Sequence, residues 1–476
     1  MKIKDFQDLR KQKFSSEKKQ NNLQERKHFG RNYKLDFFFI FMEIIADLHI
    51  HSRFSRACSK DINLENLEKW AKIKGIDLMG TGDFSHEKWL NELKQNLVEK
   101  EGILYSKTDF KFILSWEVSL IYTQSGKGRR VHLVVLAPSF EAVDKINAYL
   151  DKKGRRDYDG RPIFKISCEQ FAKDMYDISN EIEVIPAHLF TPFFGVFGSE
   201  SGFNSLKEAF GLQADKIHAI ETGISSSPEM NWKISELNNR SIVSFSDSHS
   251  FWPWRLGREA TIFAKADSYM DIINAIRENK ILGTIETDPA YGKYHYDGHR
   301  DCNFSCSPEE SKKLNNLCPV CKKPLIIGVE NRVNEIGNQK PEINPHRKKF
   351  YKILPLHELI SIIIGSSVSS KKTWEVYNKL IDKFENEFNI LLNVSFEDLE
   401  KIVEKKLAEL IILNREGKLE LKPGYDGLYG EIILNEEFLG KKKIRKIKEN
   451  SDKEKSKQIK EDNIKIKEKQ KSLTSF

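Results

Sequence analysis

Between Met42 and Thr287 the chain alternates short apolar runs with longer polar stretches in which apolar residues return every three to four positions. The runs IIADLHI (44–50), IDLMGTGD (76–83), FKFILSWEVS (110–119), VHLVVLAP (131–138), EVIPAHLF (183–190), KIHAIETG (216–223) and SIVSFSDSH (241–249) predict strands. The stretches LENLEKWAKIKG (64–75), FEAVDKINAYLDK (140–152) and SYMDIINAIREN (268–279) predict amphipathic helices between them. Strands and helices in this order are the βαβ rhythm of a parallel sheet or barrel. A span of about 245 residues is close to the roughly 250 of an ordinary α/β barrel.

The rhythm stops at Tyr294. Residues 294–330 carry four cysteines, and residues 331–440 read as mainly helical. Val376, Leu380, Phe384 and Phe388 recur at four-residue spacing there, and Ser395 with Asp398 opens a helix through Leu399, Val403, Leu407 and Leu410. A Gly-rich strand-and-turn stretch, KPGYDGLYGEIIL, closes the region. Residues 1–41 are rich in Lys, Gln and Asn and read as a disordered basic extension, while the Lys-rich tail over 441–476 suits disorder slightly better than a solvated helix. Order is expected from Met42, itself a candidate translation start. The expected organisation is an α/β domain over 42–293, a cysteine segment over 294–330 and a helical domain over 331–440.

A length of 476 residues fits two or three domains. The net charge of +8 sits at the ends: residues 1–41 hold 11 Lys/Arg against 5 Asp/Glu and residues 441–476 hold 14 against 6, which leaves the body at −6. DNA binding by the body must therefore be argued from local clusters. The longest apolar run, near Phe37–Ile45, is broken by Glu43 and is far short of the ~20 residues of a spanning helix. The polar start also lacks the apolar core of a secretory signal, so no membrane partner and a cytoplasmic location are expected. Cys58 and Cys168 stand alone, which argues for reduced thiols.

Metal-type side chains recur where the strands end: His49 and His51, then Asp83, Glu117, His132, His188, and Asp247 with His249. Barrel chemistry sits at such ends. One strand-end histidine is ordinarily a hydrogen-bonded structural residue, but this many together read as a metal cluster. His-x-His and Asp-x-His at period two direct both side chains to one face. Imidazoles with bridging carboxylates favour zinc, manganese or iron, and paired metals activate water and clamp both oxygens of a displacement at phosphorus. Phosphoester hydrolysis is the expected reaction, with Asp247, His249, Glu117 and His188 as catalytic residues and Mg²⁺ or Mn²⁺ as alternatives to Zn²⁺.

Cys302-x₃-Cys306 and Cys318-x₂-Cys321 have the two-pair spacing of a structural zinc site, with His295 and His299 close enough to replace a cysteine. Cationic residues flank three ligand-bearing strand ends: Arg53, Arg56 and Lys60; Arg129 and Arg130; Arg255 and Arg258. These are the expected contacts to DNA phosphates. Phe193, Phe194, Phe197, Trp252 and Trp254 are candidates to stack on a flipped base.

The order DLHIHS, TGD, a Glu after a strand, VHL, PAH and SDSH resembles the polymerase-and-histidinol-phosphatase (PHP) superfamily. The resemblance implies a (β/α)7 barrel around a trinuclear centre, with the eight residues above as ligands. Phe84 stands where many relatives have His, and Ala57 where some have His or Asp, so a third metal would depend on His86 or solvent. The segments DLHIHSRFSRACSK, GTGDFSHEKW, KYHYDGHRDCNFSC, SPEESKKLNNLCPVCKKPLIIGV and PGYDGLYG resemble the endonuclease Q family within that superfamily, from about Met42 to Gly440. This implies incision of damaged DNA 5′ to a deaminated base (uracil, hypoxanthine, xanthine) or an abasic site, with a replication or repair clamp as a further candidate partner. Rival readings are a small-molecule phosphatase resembling histidinol-phosphate phosphatase, a metal-dependent amidohydrolase, and a non-catalytic DNA-binding module. The long C-terminal region weighs against the first, Glu117 in place of a lysine against the second, and the persistence of the ligands against the third.

Overall fold

The computed structural model describes residues 43–433. The basic extension expected over 1–41 and the Lys-rich tail expected over 441–476 lie outside the described residues. Local signals set the first unit. β1 (Glu43–Asp47) leads to a helix over Leu64–Lys74, which starts where the Asn63 side chain accepts the Asn66 N–H and stops at Gly75 with φ 95°. β2 (Leu78–Gly80) then returns parallel to β1. A helix over Glu87–Asn96 and a short hairpin, β3 (Val98–Lys100) with β4 (Ile103–Tyr105), lead into β5 (Lys111–Gln124), which runs parallel to β2.

Here the chain departs from the expected rhythm. β6 (Lys127–Ala137) folds straight back on β5 as an antiparallel hairpin, from Leu114 opposite Ala137 to Gln124 opposite Lys127. Ser125 (φ 51°) and Gly126 (φ 74°) form the two-residue turn, whose left-handed residues match the twist of the flanking strands. After β7 (Ile163–Phe164), β8 (Glu183–Pro186) pairs antiparallel with β6. β9 (Ala219–Glu221) and β10 (Ser241–Val243) form a parallel pair. Single hydrogen bonds tie the ends together: Leu189 N–H donates to the Glu221 carbonyl (2.9 Å) and His51 N–H to the Ser248 carbonyl (2.9 Å). β11 (Ala260–Ala264) and β12 (Gly283–Glu286) extend the sheet antiparallel from β1. The sheet is therefore mixed, not wholly parallel.

Ala46, Leu48, Ile113, Val134, Ile185, Ala219 and Val243 form one apolar cluster, floored by Tyr269, Ile272, Ile273 and Ile276 of the helix over Tyr269–Arg277. Strand alternation places polar groups on that same face nearby. Glu117 lies four residues beyond Ile113, Glu221 two beyond Ala219, and His132 two before Val134. The apolar floor excludes water beneath the functional groups.

Beyond the sheet, β13 (Asp297–His299) and β14 (Phe304–Cys306) form the cysteine hairpin, and β15 (Lys349–Lys352) adds parallel to β12. Two helices expected from spacing are each divided. The Val376–Phe388 series is split between Lys371–Phe384 and Glu387–Leu392 by Glu385 at φ 75°. The Ser395 helix ends at Glu400, and a new one over Lys405–Arg415 buries Leu407, Leu410 and Ile411. Packing overrides the four-residue spacing at both breaks. The helical region is fastened to the first unit by a buried ion pair. Lys74 Nζ donates to Glu387 Oε1 (2.7 Å) and to the Pro253 carbonyl (2.8 Å). Glu387 also accepts from Leu356 N–H (2.9 Å) and the Tyr377 hydroxyl (2.9 Å).

Removing one member leaves a buried charge without compensation. Lys74→Met is expected to cost about 3–5 kcal/mol, read as a lower thermal midpoint by circular dichroism. Lys74→Met with Glu387→Gln should recover much of that loss.

Candidate metal centre

Three strand-end residues have left-handed backbone: Asp83 (φ 45°), His188 (φ 33°) and Asp247 (φ 46°). Such angles are uncommon for residues carrying a Cβ and persist only where the surroundings enforce them. At His188 the enforcing contact is its own N–H, which donates to Glu221 Oε2 (2.7 Å).

The donors gather into two groups with one shared member. Ligand atoms of His49, His51, Glu117 and Asp247 lie within 4.8 Å of one another, and so do those of Glu117, His132 and His188. His51 Nε2 is 3.2 Å from Glu117 Oε2 and 3.1 Å from Asp247 Oδ1. Glu117 Oε1 is 2.9 Å from His132 Nδ1 and 3.2 Å from His188 Nε2. His49 Nε2 stands 3.7 Å from Glu117 Oε1 and 3.6 Å from Asp247 Oδ1, buried and without a hydrogen-bond partner. A lone pair stranded among carboxylates fits a cation, and imidazole with carboxylate is a donor set for a divalent metal.

Partners behind the imidazoles fix their tautomers. His49 Nδ1–H donates to Glu221 (2.9 Å) and His51 Nδ1–H to Asp83 Oδ1 (3.0 Å), which turns both Nε2 lone pairs to the donor groups. Asp83 Oδ2 accepts from Ser52 N–H (2.7 Å), the Ser52 hydroxyl (2.7 Å) and the Ser55 hydroxyl (2.8 Å). The structure thus puts Asp83 behind His51, outside both donor groups.

Burial alone would raise the Glu117 carboxyl, but Arg161, His132 and His49 hold it well below the usual carboxylate range. Burial is likewise overcome at Asp247 by His49 and His51. His249 stands at the mouth, its side chain 31% exposed and its ring 4.5 Å from that of His51. Burial, then the nearby His51 ring, push it down to about 4. It joins neither donor group. Nor does a third group form at this centre: Phe84 is buried against Trp116, and the His86 ring stacks on Phe54 at 4.3 Å.

Two polar residues of this site are not marked by the sequence reading. Glu221 ends β9 and obeys the same strand-end rule as the others, so it was available to that reading. Arg161 carries no such signal. Its Nη1 donates to Glu117 Oε2 (2.6 Å), and it arrives on a loop held by Trp116 Nε1–H donating to the Gly160 carbonyl (3.0 Å). A Cβ at residue 160 would lie 2.2 Å from Asp83 Oδ2, so only glycine allows the approach.

In the cysteine segment, His299, Cys302, Cys318 and Cys321 bring their donor atoms within 4.8 Å of one another. Cys306 lies outside that set, packed with Cys318 and Leu325. His299 Nδ1, 3.8 Å from Cys321 Sγ, takes the fourth place. His295 does not join; it lies 3.6 Å from Glu330.

The expected phosphate contacts divide. Arg56, Lys60 and Arg130 are exposed. Arg53 is not free for DNA, because its guanidinium is engaged by Glu92 and the Ile62 carbonyl. Arg129 is buried: it donates to the Gly202 carbonyl and to Glu208 (2.9 Å) and covers the Phe203 ring at 3.9 Å. Both were placed on the rim by sequence adjacency, and tertiary partners withdraw them. Among the aromatics, Phe197 is core. Trp252 and Trp254 stack on each other and meet Trp374. Phe193 and Phe194 remain half-buried in their loop, Phe194 stacked on His132 at 4.3 Å.

Comparisons with known proteins cover most of the chain. Residues 355–418 match the MJ0043 C-terminal domain family. The chain is 33% identical over 284 residues to the uncharacterized protein MJ0043 of Methanocaldococcus jannaschii, which covers 57% of this chain and 35% of that one; it thus spans about a third of that relative. It is 27% identical over 415 residues to the uncharacterized protein YqxK of Bacillus subtilis, covering 82% of this chain and 99% of YqxK. Among solved structures, the lesion-specific endonuclease PfuEndoQ from Pyrococcus furiosus is similar at 30% identity and a TM-score of 0.75, over 84% of this chain and 97% of that one. Endonuclease Q in complex with a 27-mer duplex substrate bearing an abasic lesion at the active site is similar at 31% identity and a TM-score of 0.76, over 84% and 98%.

Glu221→Ala frees His49 to rotate and is expected to weaken metal binding about 10–100-fold, measured by competition with a chromogenic chelator. In the cysteine segment, Cys306→Ser should keep its bound metal by mass spectrometry, whereas Cys302→Ser and Cys321→Ser should release it.

Proposed function

The chain belongs to the endonuclease Q family, and on that premise we propose that it hydrolyses the phosphodiester on the 5′ side of a deaminated base or an abasic site in DNA. The observation that carries the proposal is the pair of donor groups joined by Glu117, with His49 Nε2 unpartnered between carboxylates.

In this reading His49, His51, Glu117 and Asp247 hold one divalent ion, and Glu117, His132 and His188 hold a second. Zn²⁺ suits the imidazoles, and Mg²⁺ or Mn²⁺ are alternatives. Bound there, such ions supply Lewis acidity and an acidified water. The chain's own residues do the rest. Asp247 and Glu117 stay ionised and fix the geometry, and Asp83 and Glu221 hold the two leading imidazoles in one tautomer. Arg161 offers positive charge where the phosphate would gain negative charge. His249, at the mouth, is placed to accept or return a proton. Arg56, Lys60 and Arg130 line the approach as phosphate contacts, and Phe193 and Phe194 are the aromatics left to meet a displaced base. The strands β1, β2, β5, β6, β8, β9 and β10 are read as the ring of a PHP-type (β/α)7 barrel, supported by the bonds at Leu189 and His51. The His299, Cys302, Cys318 and Cys321 set is read as a structural zinc site.

The test is a single-turnover incision assay on metal-loaded protein, with duplexes that differ only by one deoxyinosine, deoxyuridine or abasic site. A nick immediately 5′ of the lesion and none in undamaged duplex is the expected result, reduced at least about 10²-fold by Asp247→Asn. No cleavage of any duplex overturns the reading and makes histidinol phosphate the next substrate.

A further inference from the structure

Arg255, Arg258 and Lys293 converge on Tyr429, beside the strand end that bears Asp247. The Arg255 guanidinium lies 5.5 Å and the Lys293 ammonium 4.8 Å from the centre of the Tyr429 ring. Arg258 hydrogen-bonds the Tyr429 side chain, and its Nε–H donates to the Ser246 carbonyl (3.1 Å), one residue before Asp247. The Glu358 carboxylate acts on Arg255 and the buried Glu259 on Arg258, and all four side chains are half-buried.

Tyr429 reaches this place through the Gly-rich loop. Gly424 N–H donates to the Ala290 carbonyl (2.9 Å), Gly427 N–H to the Lys293 carbonyl (3.0 Å) and Gly430 N–H to the Tyr291 carbonyl (3.1 Å). A Cβ at residue 430 would meet the Ala290 oxygen at 2.1 Å, so the glycine permits the loop to lie flat on residues 290–293. The stretch is thus a device that carries a tyrosine to three cations.

Three cations around one phenol outnumber the carboxylates, Glu358 and Glu259, that act on Arg255 and Arg258, and an anion completes the arrangement. The phenol itself reports the excess: burial pushes the Tyr429 hydroxyl up, but Arg255, Arg258 and Lys293 bring it down to about 7.

We propose that Arg255, Arg258, Lys293 and the Tyr429 hydroxyl form a seat for one phosphodiester of the bound DNA strand, next to the one that is cut. The proposal rests on the nuclease reading of the metal centre. Guanidinium forks match phosphate oxygens, and a tyrosine hydroxyl donates to them. Tyr429 comes from the C-terminal loop, so that region takes a direct part in holding substrate.

The test is the affinity of metal-free protein for a labelled abasic duplex, by fluorescence anisotropy between about 50 and 200 mM salt. Lys293→Ala, and Lys293→Gln as a second variant, should lower the slope of log K against log salt by about 1, with Lys293→Arg restoring it. Tyr429→Phe should weaken binding about tenfold at one salt. An unchanged slope in folded Lys293→Ala and Arg255→Ala overturns the seat. A free deoxynucleoside monophosphate that displaces duplex from the wild type overturns its assignment to the DNA strand. If the metal-loaded wild type cuts no lesion duplex, the nuclease reading fails, while the salt slope on that same duplex still judges the seat.

Discussion

One buried carboxylate sets what the rest of the molecule must supply. Glu117 is fully enclosed at the middle of β5 and belongs to both donor groups. An isolated ion in such a place costs several kcal/mol (about that order) unless opposite charge and hydrogen bonds compensate. Arg161, His132 and His188 do so from three different stretches of chain. Trp116, the neighbour of Glu117 on the opposite face of the strand, holds the Gly160 carbonyl and so the loop that delivers Arg161. The strand that carries the charge therefore also anchors its neutralising partner.

The same dependence extends outward. Glu387 in the helical region binds Lys74, and Lys74 binds the Pro253 carbonyl, two residues before Arg255. The helical region thereby steadies the segment that follows Asp247 and His249. Arg258 grips the Ser246 carbonyl from the far end of that segment, and the loop bearing Tyr429 closes over it. A strained turn such as that at Asp247 keeps its shape only because neighbours on both sides are fastened.

Much of the site was legible because its signals are local. His49 with His51, His188 after Pro186, and Asp247 with His249 stand at strand ends, and a strand end is readable from a few neighbouring residues. Glu221 was readable by the same rule. Arg161 was not, since no local pattern says that a loop arginine will reach a carboxylate 44 positions away. Arg129 and Arg130 are adjacent, yet one is buried and the other exposed. The strand period separates their faces, but only Phe203, Gly202 and Glu208 decide which face is covered.

By itself the sequence determined where the strands end and which of them carry imidazole and carboxylate, because each of these follows from residues a few positions apart. Tertiary structure decided that β5 and β6 form a hairpin, that Asp83 stands behind His51, that His299 and not Cys306 closes the thiol set, and that Tyr429 meets three cations. Those outcomes depend on contacts between distant segments, and the free energy of such contacts exists only once the chain has folded.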